Sequence, residues 1–253
     1  MEEYSFSKLM TFEQCRQKYH DTYVGHKKGK ANAFSQYGTM CHEILERCAK
    51  GELEPFELVD QYELGFATEI TEEFPPNSYV DLSVSYYNDG LNFFKKFDGF
   101  DDLEVLGVEQ NFSVEIEHPE ENYKLRGIID LIYRNADGDI VVRDWKSKSK
   151  FANKEEKAKY ARQLYVYTLA VKQLLGEYPK SMEFYMFRKN KIDPVKFNQD
   201  DLNETIEWAN GVVTNIRKEE EYKPSFDDWF CSWLCDYRGT CQHARQIKLA
   251  DMK

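Results

Sequence analysis

The apolar positions of this chain change period part-way along it. From Ser5 to Tyr23, Leu9, Phe12 and Tyr19 recur at helical spacing behind Ser5 or Ser7 as a cap, which predicts a helix. Lys27 to Asn32 is a polar loop. Gly38 to Cys48 predicts a second helix, with Cys41, Leu45 and Cys48 on one face and His42 and Glu46 on another. Glu57–Thr71 and Val84–Phe97 read as two more helices, separated by the break at Pro75-Pro76. Beyond residue 103 the pattern turns to β. Val105 to Ile116, Lys124 to Tyr133 and Ile140 to Trp145 have strand composition, and Asn135-Ala136-Asp137-Gly138-Asp139 makes the last two a hairpin. Lys154 to Leu175 is a long helix carrying Tyr160, Leu164, Tyr167, Val171 and Leu175 near one face. Ser181 to Phe187 returns to strand and Asp200 to Lys218 to helix, while Pro224 to His243 is irregular, aromatic and cysteine-rich. This order predicts an α/β fold with a mixed central sheet flanked by helices.

Composition narrows the class. The 253 residues are 42% hydrophobic and 15% aromatic, which suits a globular chain rather than a disordered one. No apolar run approaches the ~18 residues of a membrane span. Met1-Glu2-Glu3-Tyr4 has neither the basic nor the apolar region of a secretory signal. A cytoplasmic, reducing location is therefore expected, where clustered cysteines hold metal more often than they form disulfides. The net charge of −11 argues at first against a nucleic-acid partner, but its distribution reverses that. Residues 51–121 hold 19 Asp/Glu against two Lys/Arg, while Arg143 to Arg162 holds eight Lys/Arg against three acids and Arg16 to Lys30 five against one. Such stripes either track phosphates or form a solvated helix face.

The chemistry concentrates in two sets of residues. Asp130 ends one predicted strand and Asp144 the next, so pairing of these strands brings both carboxylates to one sheet edge. Hard cations such as Mg²⁺ or Mn²⁺ take oxygen ligands of this kind. Lys146, two residues after Asp144, points to the same face of its strand and suits a role beside a phosphate. The second set is Cys15 together with Cys231, Cys235 and Cys241, four thiolates from opposite ends of the chain. By spacing alone they suit zinc or an iron–sulfur cluster equally. Cys41 and Cys48 read as small buried residues. Gly25-His26-Lys27-Lys28-Gly29-Lys30-Ala31 fails as a phosphate loop, being one residue short and lacking a following Ser/Thr, so an ATP-driven motor would be a separate protein.

Gly127-Ile128-Ile129-Asp130 with Asp144-Trp145-Lys146 resembles the PD-(D/E)xK nuclease superfamily. Gly38 to Glu46 is similar to the G-x-x-x-H-x-x-L-E helix of its RecB-like branch, Gln163 and Tyr167 to the Q-x-x-x-Y helix, and Tyr4 to Tyr23 to the opening element that carries a cysteine. The terminal triplet resembles the iron–sulfur closure of AddB-type and CRISPR-associated RecB-like exonucleases, although three residues rather than two separate Cys231 from Cys235. The resemblance implies a restriction-endonuclease-like core with an N-/C-terminal iron–sulfur clasp. It divides the chain into N-terminal helices (1–50), an acidic helical insertion (51–103), a nuclease core (104–220) and a C-terminal iron–sulfur segment (221–253), all in one compact unit. It implies a Mg²⁺ or Mn²⁺ site at His42, Asp130, Asp144 and the Trp145 carbonyl. Lys146, Gln163 and Tyr167 join the catalytic set, and a 4Fe-4S cluster falls to Cys15, Cys231, Cys235 and Cys241. Glu109 and Glu46 are secondary candidates.

The function so implied is a metal-dependent deoxyribonuclease, an exonuclease on single-stranded or frayed DNA, with a helicase or a recombination or CRISPR protein as partner and no membrane. Recombination, repair, phage DNA processing and CRISPR adaptation are all compatible with it. The rival reading is a non-catalytic DNA-binding or assembly subunit that keeps the fold as scaffold.

Overall fold

The computed structural model describes residues 1–243; residues 244–253, the end of the segment expected at 221–253, lie outside the described residues. A two-residue strand, β1 (Glu3–Tyr4), precedes the first helix. The Ser5 hydroxyl caps α1 (Phe6–Gln14) by accepting from the Lys8 N–H at 3.1 Å. The helix does not run on to Tyr23 as its spacing predicts. Cys15 takes extended backbone (φ −160°, ψ 113°), and the chain resumes as α2 (Arg16–Tyr19) and a π-helical turn, His20–Val24. No Gly or Pro marks this break; the packing of Phe12 on Tyr19, with ring centroids 5.1 Å apart, accompanies it. The next helix, α3 (Ala33–Ala49), starts five residues before the expected Gly38, behind a capping box of Asn32 and Ser35.

The acidic segment folds as α4 (Leu58–Glu69) and α5 (Leu82–Phe94), the latter capped by Asp81. Then come β2 (Glu104–Ile116), β3 (Tyr123–Arg134), β4 (Ile140–Lys146), α6 (Lys154–Leu175), β5 (Ser181–Met186), β6 (Lys191–Lys196) and α7 (Gln199–Arg217). The residue pattern does not signal β1, which is too short, or β6, which carries Pro194. A proline is tolerated there because β6 is an edge strand.

The sheet is mixed. β3 pairs antiparallel with β2 and β4, β4 parallel with β5, β5 antiparallel with β6, and β1 parallel with β3. One edge of β3 is shared: β1 takes Lys124 and Leu125, and β4 takes Leu131 to Arg134. Residues 126–130 between them have no ladder partner on that edge.

Helices cover both faces. Phe112, Ile129, Ile132, Val142 and Phe184 pack in one core with residues of α1, α6 and α7. Leu131, Tyr133, Val141, Trp145 and Phe187 pack in a second core with α3, α4 and α5, including Leu58, Tyr62, Phe93 and Phe94 of the acidic segment. Regular alternation would put Ile129 and Leu131 on one face, yet they lie in different cores. The same swap separates Val108 from Phe112 on β2. Both swaps fall between the Val108–Leu131 and Gln110–Ile129 pairs, where Glu109, in left-handed backbone (φ 47°), stands opposite Asp130. The two strands are kinked at the same point. No helix among the described residues is long and apolar enough to cross a membrane.

A buried charge pair braces β4 against β5. Arg143 and Glu183 are ladder partners with side chains 8% and 10% exposed. Arg143 Nε donates to Glu183 Oε1 at 2.6 Å, and the Tyr133 hydroxyl donates to the same oxygen at 2.9 Å. The guanidinium lies 4.9–5.3 Å from the ring centroids of Tyr185, Tyr133 and Trp145. Removing one partner strands the other charge in a dry site. Glu183→Ala is therefore expected to lower unfolding free energy by about 3–5 kcal/mol in urea titrations, whereas Arg143→Met with Glu183→Leu should cost much less.

Candidate active site

The β3–β4 ladder ends at Leu131–Arg143, so the next residues out, Asp130 and Asp144, sit where the strands part. The Trp145 N–H donates to Asp130 Oδ2 at 2.8 Å, so this carboxylate takes the place of the missing ladder acceptor. Asp144 is 2% exposed. Lys146 Nζ stands 2.6 Å from Asp144 Oδ2, but the approach does not have hydrogen-bond geometry, and this buried oxygen accepts no hydrogen bond. Burial, and then the charge of Asp144, push the Asp130 carboxyl well above its ordinary range. The expectation that two carboxylates and a lysine meet at one sheet edge thus has its geometry here.

His42, on α3, reaches the same place from the opposite layer. Its Nε2–H donates to the Trp145 carbonyl at 2.9 Å, and its Nδ1 lies 3.7 Å from Asp130 Oδ2. Burial lowers the imidazole pKa, against the opposing pull of Asp144, which favours the neutral ring that a cation requires as ligand. A cavity of about 660 Å³ opens beside these groups, lined by Gly38, Thr39, His42, Glu46, Glu109 and Asp130 among others. Glu109 joins it through the left-handed kink, its carboxyl raised by burial and by Glu46. Glu46 itself pairs with Lys50 rather than with His42.

Lys146 is held from the other side. It donates to Gln163 Oε1 at 3.0 Å, and Gln163 Nε2 donates to the Tyr167 hydroxyl at 2.6 Å. Tyr167 packs edge-on to Phe112, at 5.8 Å between centroids, and Phe112 covers Gly127. A Cβ at Gly127 would come within 2.9 Å of that ring, so this glycine serves packing rather than ligation. The chain Gly127–Phe112–Tyr167–Gln163–Lys146 runs from the sheet to the ammonium. Nothing in the residue pattern marks Phe112, Phe187 or Ser147, whose places depend on contacts across layers: Phe187 packs 6.4 Å from the His42 ring, and Ser147 lies against Gly38.

The donors fit a hard divalent cation in kind: two buried carboxylates, a neutral imidazole, a carbonyl, and one carboxylate oxygen without a hydrogen bond. Among the described residues no three His, Cys, Asp or Glu side chains already surround one point as ligands would. The carboxylates are met instead by Lys146 and the Trp145 N–H. The four cysteines are brought together from both chain ends, since Cys15, Cys231, Cys235 and Cys241 all line one cavity with Lys18 and His243. They are free thiols, and burial pushes the Cys235 thiol up.

A sequence profile described as the PD-(D/E)XK nuclease superfamily matches residues 3–242. The chain belongs to this superfamily. Among curated proteins it is similar to a subunit of the ATP-dependent helicase/nuclease of Clostridium botulinum (strain Alaska E43 / Type E3), 28% identical over 158 residues. That match takes in 62% of this chain and 12% of the relative, so the chain spans only a small part of that protein's length. Among solved structures it resembles a candidate exonuclease from Eubacterium rectale, with a TM-score of 0.53 and 13% identity over 100% of this chain and 93% of that one. The shared fold is the α/β nuclease fold with its mixed central sheet and flanking helices.

The raised Asp130 pKa has a consequence for stability. An acid whose folded pKa exceeds its unfolded one costs nothing below the unfolded value and its full penalty above the folded one. Without divalent metal, Asp130→Asn is expected to melt higher than the parent at pH 8, by roughly 2–4 °C for each ~1 kcal/mol relieved. The advantage should vanish as pH falls toward the ordinary aspartate value of 3.8. Thermal melts in EDTA across that range check it; a lower-melting variant at pH 8 would contradict a penalty from burying the charged Asp130 beside Asp144.

Proposed function

We propose that the chain is a divalent-metal-dependent deoxyribonuclease that trims single-stranded or frayed DNA ends. The observation that carries this reading is the meeting of Asp130, Asp144 and Lys146 at the fork of β3 and β4, within reach of His42, with Asp144 Oδ2 buried and without a hydrogen bond. Asp130, Asp144, His42 and the Trp145 carbonyl would hold Mg²⁺ or Mn²⁺, which supplies Lewis-acid stabilisation of a phosphate undergoing attack by water. Lys146, aimed by Gln163 and Tyr167, bears on the water and on the charge that develops on the phosphate. The neutral His42 leaves the site without an added fixed charge. An exonuclease reading accords with the fold shared with the Eubacterium rectale protein. The relative named as part of an ATP-dependent helicase/nuclease supports a helicase as partner.

Cys15, Cys231, Cys235 and Cys241 would hold a 4Fe-4S cluster. Their convergence on one cavity supports a metal, and four soft thiolates are suitable donors for it. Bound there, a cluster closes a loop of nearly the whole chain, and its binding energy becomes folding energy.

End-labelled single-stranded DNA in Mn²⁺ tests the activity. Asp144→Ala and Lys146→Ala are each expected to slow digestion at least about 100-fold with circular dichroism unchanged, and EDTA should stop it. Undiminished cutting by either variant would falsify the mechanism, and binding without cutting by the parent protein would favour the scaffold reading. Protein purified without oxygen should be brown, with a broad band near ~400 nm that is lost in Cys15→Ser. Zinc in place of iron, with no such band, would replace the cluster by a zinc clasp.

A further inference from the structure

A second cavity, of about 530 Å³, runs along the N-terminal half of α3. Ser35, Gln36 and Thr39 line it from the helix, Thr22 and Lys27 from the segment before, and Tyr237 from the cysteine-rich tail. Thr39 borders the catalytic cavity as well, so the two spaces adjoin at this residue. Gly38, next to Thr39, lines the catalytic cavity, and a Cβ there would stand 3.4 Å from the Ser147 hydroxyl, one residue beyond Lys146.

The two ends of α3 differ in charge. Beyond His42 the catalytic cavity is walled by Glu43, Glu46, Glu52 and Glu109 against Arg47. A phosphate chain is repelled in that direction. Before His42 the groove is lined by hydroxyls and an amide. Its Asp236 is matched by Lys18 at 3.0 Å and its Lys27 by Asp21 at 2.8 Å, leaving Glu69 as the acid at its rim. Lys28 beside it is exposed and has no ion pair among the described residues, and the positive end of the α3 dipole lies on this side. The Thr39 hydroxyl, one helical turn before His42, is exposed and makes no hydrogen bond among the described residues. Hydroxyls, amides and lysines that ignore base identity are the groups that contact nucleic-acid backbones.

We propose that this groove binds the phosphates of the single DNA strand adjacent to the scissile bond. The proposal rests on the nuclease reading above and assigns that site its substrate path.

Ser35 offers a clean test because it is the third residue of α3 and half of the capping box. Glu and Gln are both favoured there, so Ser35→Glu and Ser35→Gln keep the cap and match in size, but only the first adds a negative charge to the groove. Binding of a fluorescein-labelled oligothymidylate is read by anisotropy in EDTA, with melting temperature as the check on folding. Ser35→Glu should weaken binding about tenfold relative to Ser35→Gln, and the difference should shrink with added salt. Equal affinities of the two variants, or no binding by the parent protein, overturn the groove. A parent protein that shows the Glu/Gln difference yet fails to cut DNA in Mn²⁺ removes the nuclease reading and leaves the groove in place.

Discussion

Two carboxylates buried against each other are the constraint around which the site is built. Burial, and then the charge of Asp144 beside it, make the Asp130 carboxyl hard to ionise. Folding tolerates the two carboxylates because the protein surrounds them with partial and full positive charge: the Trp145 N–H on Asp130, and the Lys146 ammonium beside Asp144. That compensation is incomplete, since one Asp144 oxygen is buried without a hydrogen bond. That shortfall of positive charge is the physical basis of the proposed cation site. Stability is given up locally and regained elsewhere, in the cores on either face of the sheet.

The sheet explains why the site lies where it does. Had β4 continued its ladder along β3, Asp130 would face a paired strand, and the Trp145 N–H would bond to a backbone carbonyl. Ending the ladder at Leu131–Arg143 frees both. The kink shared by β2 and β3 then hands the strands from one core to the other at Glu109 and Asp130. The candidate site residues thus gather where regular pairing fails, and the adjoining regular parts hold them still: Arg143–Glu183 locks β4 to β5, and Phe112 over Gly127 locks β2 to β3. The acidic segment belongs to this frame, since Tyr62, Phe93 and Phe94 complete the core beneath Trp145 and Phe187, next to His42.

Short-range signals are readable wherever neighbours in sequence settle the structure. The Asp-Gly hairpin, the cap at Ser5 and the long periodic α6 form close to where pattern places them. Asp144 and Lys146 lie two apart on one strand, so their common face follows from the period of a strand alone. Local pattern misleads where distant contacts override local preference. The break at Cys15 has no local cause, the early start of α3 hinges on an Asn32–Ser35 cap at the end of a polar stretch, and β6 is hidden by a proline that only an edge position excuses.

The order of residues by itself determined the class of fold, the hairpin that carries the two aspartates, and the side-chain types on which the proposed cation site rests. These depend on period, turn chemistry and side-chain type, which a linear chain already contains. Tertiary structure decided the rest: that α3 delivers His42 to the Trp145 carbonyl, that a left-handed Glu109 faces Asp130, that four cysteines from opposite ends share one cavity, and that a polar groove adjoins the site at Thr39. Each joins residues far apart in sequence, and such meetings are set by how whole layers pack against the sheet, which no local pattern encodes.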